Sequence, residues 1–406
     1  MARLERIIER LDLKEFQLRA LLEVTKAINN NVERADLLKL YEHTMREELG
    51  ITRLMLFEHH AEWDLILAYG AGGAPDAAVM EVFGEYKDIQ VIGSEHSGSL
   101  GAFDVAVPVH HREKTLALLL IGDIDEEEQR ISPAVKHLNF IQTLTNLIVV
   151  AMENQRLAKQ ALQQERAKRE LELAAEMQSM LVPKDLPRNE RVEAAGWYQP
   201  HSEVGGDYYD LIALAPDRYV VCVADVSGKG IAAALLMSNF QANLHASVMH
   251  ATDLGDMVHD LNGKVFRNAR GERFITLFVG IIDLAQRKVR YVNAGHNDPM
   301  LHAEGRSIAL HDGCIALGMM PKLPFLRTGE VDLPTDATLL CYTDGLVEQE
   351  DAAGNDLGVK VIADLMKEHA GRGPVAVNEA LIAAFEEHRL GQPYLDDIAL
   401  LTCRFK

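Results

Sequence analysis

The chain is poor in the residues that would build covalent or soft-metal chemistry. Four cysteines in 406 residues, Cys222, Cys314, Cys341 and Cys403, show no C-x-x-C spacing, which excludes a disulfide framework and a thiolate zinc site. Three of them lie within or beside apolar runs and read as reduced core residues. No apolar run approaches the roughly 20 residues that span a bilayer, and Met1-Ala2-Arg3-Leu4-Glu5-Arg6 is charged and amphipathic rather than a signal peptide. A cytoplasmic location without membrane insertion is therefore expected. Basic residues are also in deficit: 41 Lys and Arg stand against 61 Asp and Glu, a net charge of -20. Such a field argues against nucleic acid or an anionic membrane as the main partner. At this length the chain exceeds one typical core, so two domains are expected.

What the chain has is aspartate in particular places. Asp207 stands in Gly205-Gly206-Asp207, Asp225 in Ala224-Asp225-Val226-Ser227-Gly228-Lys229-Gly230, Asp344 in Thr343-Asp344-Gly345 and Asp396 in Asp396-Asp397-Ile398. The runs Tyr219 to Ala224, Ala337 to Tyr342 and Ile398 to Cys403 read as buried strands that begin or end at these acids. The carboxylates are thus expected to meet at one end of a sheet. Convergent carboxylates repel unless a cation sits among them. Hard oxygen donors without a Cys or His cluster suit Mg²⁺ or Mn²⁺, and two such ions would position and deprotonate a water for in-line attack on a phosphate. Any single one of these acids also fits ordinary turn chemistry, so the reading rests on the set.

The set, in this order, resembles the PP2C-type metal-dependent protein serine/threonine phosphatases, specifically the bacterial sporulation-phosphatase (SpoIIE-like) branch. The resemblance runs from about Ala174 to the C-terminus. It is carried by Ala175 to Pro183, Glu203 to Asp210, Asp225 to Gly230 with the helix Ile231 to Ser247, Phe274 to Phe278, Tyr291 to His296, Tyr342 to Glu348 and Asp396-Asp397-Ile398. The resemblance implies two Mn²⁺ or Mg²⁺ ions, with Asp225 bridging, Asp344 and Asp396 on the first, and the Val226 carbonyl on the second. Asp207 would bind directly or through water. Asp210 and Asp397 are expected either to hydrogen-bond behind the ligands or to lie at the surface. His296 invites a general-acid role, but its place before the turn Asn297-Asp298-Pro299 favours a structural one. The implied substrate is a protein phosphorylated on serine or threonine, namely an antagonist of the STAS type in a sigma-factor partner switch. The chain departs from the pattern at Ala399, where a hydroxyl residue is common, at Asn297-Asp298-Pro299, and at Pro334-Thr335-Asp336.

Residues 1–151 read as a second unit. A helical pattern from Leu11 through Leu40 stops at Gly50; strands follow at Thr52 to Glu58, Asp64 to Ala68, Asp104 to His110 and Thr115 to Ile121, and a long helix begins near Pro133. Helices at both ends of a mostly antiparallel sheet resemble a GAF sensor domain, of unknown ligand. The pairs His59-His60 and His110-His111 read as exposed strand ends beside Arg112-Glu113-Lys114 rather than as a pocket.

Residues 152–183 lack glycine and proline until Pro183 and favour one continuous helix. Val150, Leu157, Gln164, Leu171 and Gln178 recur every seven residues, an imperfect seam whose polar members would set register in a parallel dimeric coiled coil. The expected whole is an α+β protein: a GAF-like sensor over 1–151, a helical linker over 152–183, and a PP2C-like β-sandwich flanked by helices over 184–406, acting as a homodimeric phosphatase. Two alternatives compete with it: a catalytically silent binding module, and a two-metal phosphoesterase for a small molecule.

Overall fold

A computed structural model of the protein describes residues 2–71, 86–92, 103–111, 114–122, 133–250 and 253–406. The chain divides into two compact units, Met1–Glu165 and Arg166–Lys406, and its elements are mixed α and β.

In the first unit, α1 (Ala2–Asn29) and α2 (Arg34–His43) share the helical pattern read in sequence as one run. The run is broken because Asn31 adopts a left-handed φ of 51°, a conformation asparagine tolerates and a helix does not continue through. After a π turn at Thr44–Glu48 the chain reaches Gly50 at φ 69°. Strands β1 (Arg53–His59), β2 (Trp63–Tyr69), β3 (Gln90–Val91), β4 (Val105–His111) and β5 (Lys114–Gly122) form one antiparallel sheet in the order β2-β1-β5-β4-β3. One face of it packs Leu54, Leu56, Val107 and Leu119 against Val24, Leu37 and Tyr41, and against Ile141, Leu144 and Ile148 of α3 (Pro133–Ser179). Tyr41 crosses this core to share a 2.7 Å hydrogen bond with Thr145. The histidine pairs lie at strand ends: His59 rests on the Trp63 ring, His60 Nε2 is 3.2 Å from Glu58 Oε2, and His110 Nε2 is 2.9 Å from the Tyr86 carbonyl. Arg112 and Glu113 of the expected hairpin lie outside the described residues.

The second unit runs β6 (Val192–Gln199), β7 (Tyr208–Ala215), β8 (Arg218–Val226), α4 (Ile231–His250), α5 (Leu254–Ala269), β9 (Ile275–Asp283), β10 (Lys288–Ala294), β11 (Met300–Ala303), β12 (Arg306–Ala309), β13 (Gly313–Cys314), β14 (Gly329–Asp332), β15 (Ala337–Tyr342), α6 (Asp344–Val347), α7 (Val359–His369), α8 (Pro374–Arg389) and β16 (Ile398–Phe405). Two sheets result: β13-β10-β9-β8-β7 with β14 beside β10, and β12-β11-β15-β16-β6. The alternation of β15 and β16 explains the layering. Leu339, Cys341, Ala399, Leu401 and Cys403 face the first sheet's Val221 and Phe278. Leu340, Tyr342, Ile398 and Leu400 face Ile362, Met366, Leu381 and Phe385 of α7 and α8. Helices α4 and α5 bring Phe240, Leu244, Met257 and Leu261 into the core of the first sheet. Helix α5 starts where the Asp253 carboxylate accepts the Gly255 and Asp256 amides, a cap worth about 1 kcal/mol. All four cysteines are free and buried, as their apolar settings predict. No helix among the described residues is long and apolar enough to cross a membrane.

Candidate metal centre

The four acids gather at one end of the sandwich rather than at one end of a single sheet. Asp207 immediately precedes β7 and Asp225 lies at the end of β8, with Tyr208 paired to Ala224 across the ladder. Asp344 follows β15 as the first residue of α6, and Asp396 and Asp397 immediately precede β16. Each sheet therefore supplies acids from two antiparallel neighbours, one strand ending and the other beginning at the same edge. Sequence patterning finds strand ends but not the sheet to which each strand belongs. Gly345 is required here by close approach, since a Cβ on it would run into the Asp397 carbonyl.

The electrostatics are those of crowded like charge. Asp207 is 1% exposed, and its Oδ2 has no hydrogen-bond partner. Burial, followed by the charges of Asp225 and Asp397, holds its carboxyl well above the usual range. Asp225 is pushed up to about 7, first by burial and then by Asp344. Burial and then Asp396 raise Asp344. Three of the acids resist ionisation because a second negative charge waits nearby in a desolvated setting. Among the described residues, no three acidic, histidine or cysteine groups stand close enough to enclose an ion as they are. Two carboxylates are drawn instead to other partners: Asp397 accepts the His201 and Gly206 amides at 2.7 and 2.5 Å, and Asp396 pairs with Lys229 at 3.0 Å.

The donor set nevertheless fits a hard divalent cation. It offers only oxygen, it carries excess negative charge, and a buried carboxylate oxygen is left without a proton donor. Asp207, Asp225, Asp344, Asp396 and the Val226 carbonyl are the groups that would hold it. Gly206 lets the two parts of the site approach, since a Cβ there would lie 3.0 Å from the Val226 oxygen.

Around these acids stand further polar residues, of which Thr343 and Tyr198 were not singled out as site residues in the sequence. Asp397 is buried rather than superficial, and through the Gly206 amide it fixes the turn that carries Asp207. Asp210 is buried too: it accepts from Tyr208 OH, from His245 Nε2 at 2.7 Å and from the Leu211 amide at 2.8 Å. Where the pattern lacks a hydroxyl at Ala399, Thr343 provides one. Its Oγ1 accepts the Ala399 amide at 2.8 Å, and the same side chain reaches Asp207. The Tyr198 hydroxyl is buried without a partner and feels the charges of Asp397, Asp207 and Asp225. His296 is buried, its Nδ1 is 2.9 Å from Thr276 Oγ1, and its pKa falls to about 4, first because of burial. A neutral, enclosed imidazole positions the turn; it does not deliver protons at neutral pH.

Gln178 departs most from the sequence reading. As a seam position it should face a partner helix. Instead its amide is buried in its own unit, where Nε2 donates to the Gly205 carbonyl at 2.5 Å and Oε1 accepts the Gly205 amide at 3.1 Å. The last turn of α3 thus grips the peptide two residues before Asp207, a long-range contact that no heptad count reveals. Gln164, the other polar seam member, is exposed.

Comparison with known proteins agrees with this geometry. Residues 215–406 match the family described as Stage II sporulation protein E. That match covers just under half of the chain. In fold, the chain aligns with the SiaA-PP2C domain of Pseudomonas aeruginosa at a TM-score of 0.54 and 22% identity, over 61% of this chain and 100% of that one. Among curated proteins, the chain is 25% identical over 235 residues to "Phosphoserine phosphatase RsbP" of Bacillus subtilis, covering 57% of this chain and 56% of the relative. It is 28% identical over 141 residues to "Phosphoserine phosphatase RsbU" of the same organism, covering 35% of this chain and 42% of the relative. The chain thus spans about half the length of these two relatives.

Proposed function

We propose that the protein is a metal-dependent phosphatase acting on phosphoserine or phosphothreonine in a partner protein. The observation that carries this reading is the buried, partnerless Asp207 oxygen among acids drawn from both sheets, a crowded set that a bound cation would relieve. Two Mn²⁺ or Mg²⁺ ions, when bound, would supply an activated water and polarise the phosphoryl oxygens. The chain's own part is placement. Asp225, at the end of a fully paired strand, is fixed between the two sheets, Asp344 and Asp396 close the opposite wall, and Asp397 and Thr343 hold Asp207 toward them. His296, enclosed and neutral, is not placed to donate a proton at neutral pH, and the leaving serine oxygen would take its proton from water.

RsbP and RsbU are named phosphoserine phosphatases, and by that likeness the substrate here is a small STAS-type antagonist of an anti-sigma factor. Residues 1–151 serve as a GAF-like sensor, the stretch 152–183 as a coiled-coil transmitter in a cytoplasmic homodimer, and 184–406 as the catalytic domain. The Gln178 grip on Gly205 supports control through α3, because any shift of that helix turn pulls on the peptide leading to Asp207. The deciding experiment is release of phosphate from a phosphorylated STAS-domain protein by the full chain with and without Mn²⁺, beside Asp225→Asn. Turnover that ignores both metal and substitution would end the metal-phosphatase reading, and metal binding without turnover on any phosphoprotein would leave a silent binding module.

A further inference from the structure

The loop after β8 carries a cation into the acid cluster. Lys229 stands between Gly228 at φ 84° and Gly230 at φ 75°, and its Nζ lies 3.0 Å from Asp396 Oδ2 while also donating to the Leu395 carbonyl. Its charge extends to Asp344, whose carboxyl it draws down against the lift from burial and from Asp396. One ammonium thus serves the two acids assigned to the same ion. Both side chains of the pair are about half exposed, at 44% and 42%, and solvent screens such a pair strongly. It is built to exchange. By contrast Arg273, which reaches this loop from the turn before β9, is committed to the Ser227 carbonyl at 2.6 Å.

We propose that Lys229 is an exchanging cation: it holds Asp396 until a divalent ion claims that carboxylate, and then turns to contact the phosphoryl oxygens of the substrate. This rests on the metal-phosphatase reading above. An ammonium and a dication cannot share one carboxylate oxygen without mutual repulsion, and the dication has the larger attraction. The flanking glycines, both in a region that other residues avoid, give the loop its turn at each side of the lysine. Once displaced, the ammonium sits at the rim of the site with no carboxylate of its own. The next anion to arrive is the phosphoryl group, which lysine binds as a point charge.

Lys229→Met therefore shifts two constants in opposite directions. Calorimetric titration of the full chain with MnCl₂ should give roughly tenfold tighter binding, because a competitor and a repelling charge are gone. At saturating Mn²⁺, KM for p-nitrophenyl phosphate should rise by roughly tenfold, because a phosphate-binding charge is gone. Lys229→Arg, which keeps the charge, should leave both constants close to the parent protein and remains informative where the methionine variant fails to fold. General damage to the site would weaken both metal and substrate. Mn²⁺ binding that is unchanged or weaker in the methionine variant overturns the proposal, as does tighter Mn²⁺ binding with unchanged KM. Failure of the parent protein to bind Mn²⁺ at all overturns the metal reading itself.

Discussion

The two sheets of the sandwich contribute acids of opposite character. The first sheet brings Asp207 and Asp225 in from a ladder that is paired along its length, and Asp207 ends 1% exposed with an oxygen that nothing satisfies. The second brings Asp396, which is 42% exposed and already paired to Lys229. One wall creates the demand for a cation, and the other controls how readily a cation is accepted. A site made only of buried acids would either unfold or stay protonated, and one made only of exposed acids would not discriminate between a metal ion and solvent.

The most severe way to break this division is to remove a ligand from either wall. Asp225→Asn or Asp344→Asn is expected to lower Mn²⁺-dependent turnover by at least about a hundredfold, since even partners behind a metal ligand are worth 10–100-fold. Circular dichroism should show the fold retained. Near-normal turnover by Asp225→Asn at saturating Mn²⁺ would remove the assignment. Next comes Gln178→Leu. Although it strengthens the apolar seam by sequence logic, it strips both hydrogen bonds from the buried Gly205 peptide, at a cost on the order of 2 kcal/mol. Turnover should fall about tenfold or more, whereas Gln164→Leu, at an exposed position, should leave basal turnover unchanged and favour dimerisation. Equal effects of the two substitutions, measured by turnover and by mass in solution, would return Gln178 to the seam.

A third comparison uses pH with the metal chelated. The folded-state pKa of Asp225, about 7, lies above the ordinary aspartate value of 3.8. The folded protein therefore holds a proton that the unfolded chain has lost, and this acid's contribution to stability decreases as pH rises from about 4 to 7. His296, lowered to about 4, works in the other direction: its neutral burial costs stability as pH falls below the ordinary histidine value of 6.5. Asp225→Asn isolates the first effect. In EDTA at pH 7.5 it should be more stable than the parent by on the order of 2 kcal/mol, with the gain vanishing near pH 4 and reversing when Mn²⁺ is supplied. Thermal melts across this range test it, and a gain independent of pH would show that crowding of charge is not the cause. The smallest effect is expected for Asp210→Asn. The residue is hydrogen-bonded to Tyr208 and His245 behind the ligands, so turnover should fall by less than about tenfold.

Much of the site was legible because strand ends punctuate the sequence. Apolar runs bounded by Gly-Asp, Asp-Gly or Asp-Asp announce both a buried strand and an acid at its edge, and Asp207, Asp225, Asp344 and Asp396 all fall where that pattern puts them. The antiparallel sheet of the first unit was legible for the same reason. The α1–α2 break was not, since three consecutive asparagines, Asn29 to Asn31, inside an amphipathic pattern do not reveal that Asn31 turns left-handed. For Asp397 and Asp210 the sequence leaves a hydrogen-bonding role and a surface place both open, because the partners that decide for the former lie 191 and 35 residues away. Tyr198 escaped because an aromatic on an alternating strand looks like core.

Sequence by itself determined the local matters: which segments form strands and helices, which carboxylates stand at their ends, and that hard oxygen donors and excess negative charge call for a divalent cation. Those follow from periodicity, turn chemistry and residue type, all properties of neighbours along the chain. Only tertiary structure decided that the acids come from two different sheets, that Gln178 grips Gly205 instead of lying in a seam, that Thr343 supplies the hydroxyl missing at Ala399, and that Lys229 rests on Asp396. Each of these is a contact between residues far apart in sequence, fixed by how the layers pack, and no local pattern encodes which distant group fills the remaining space.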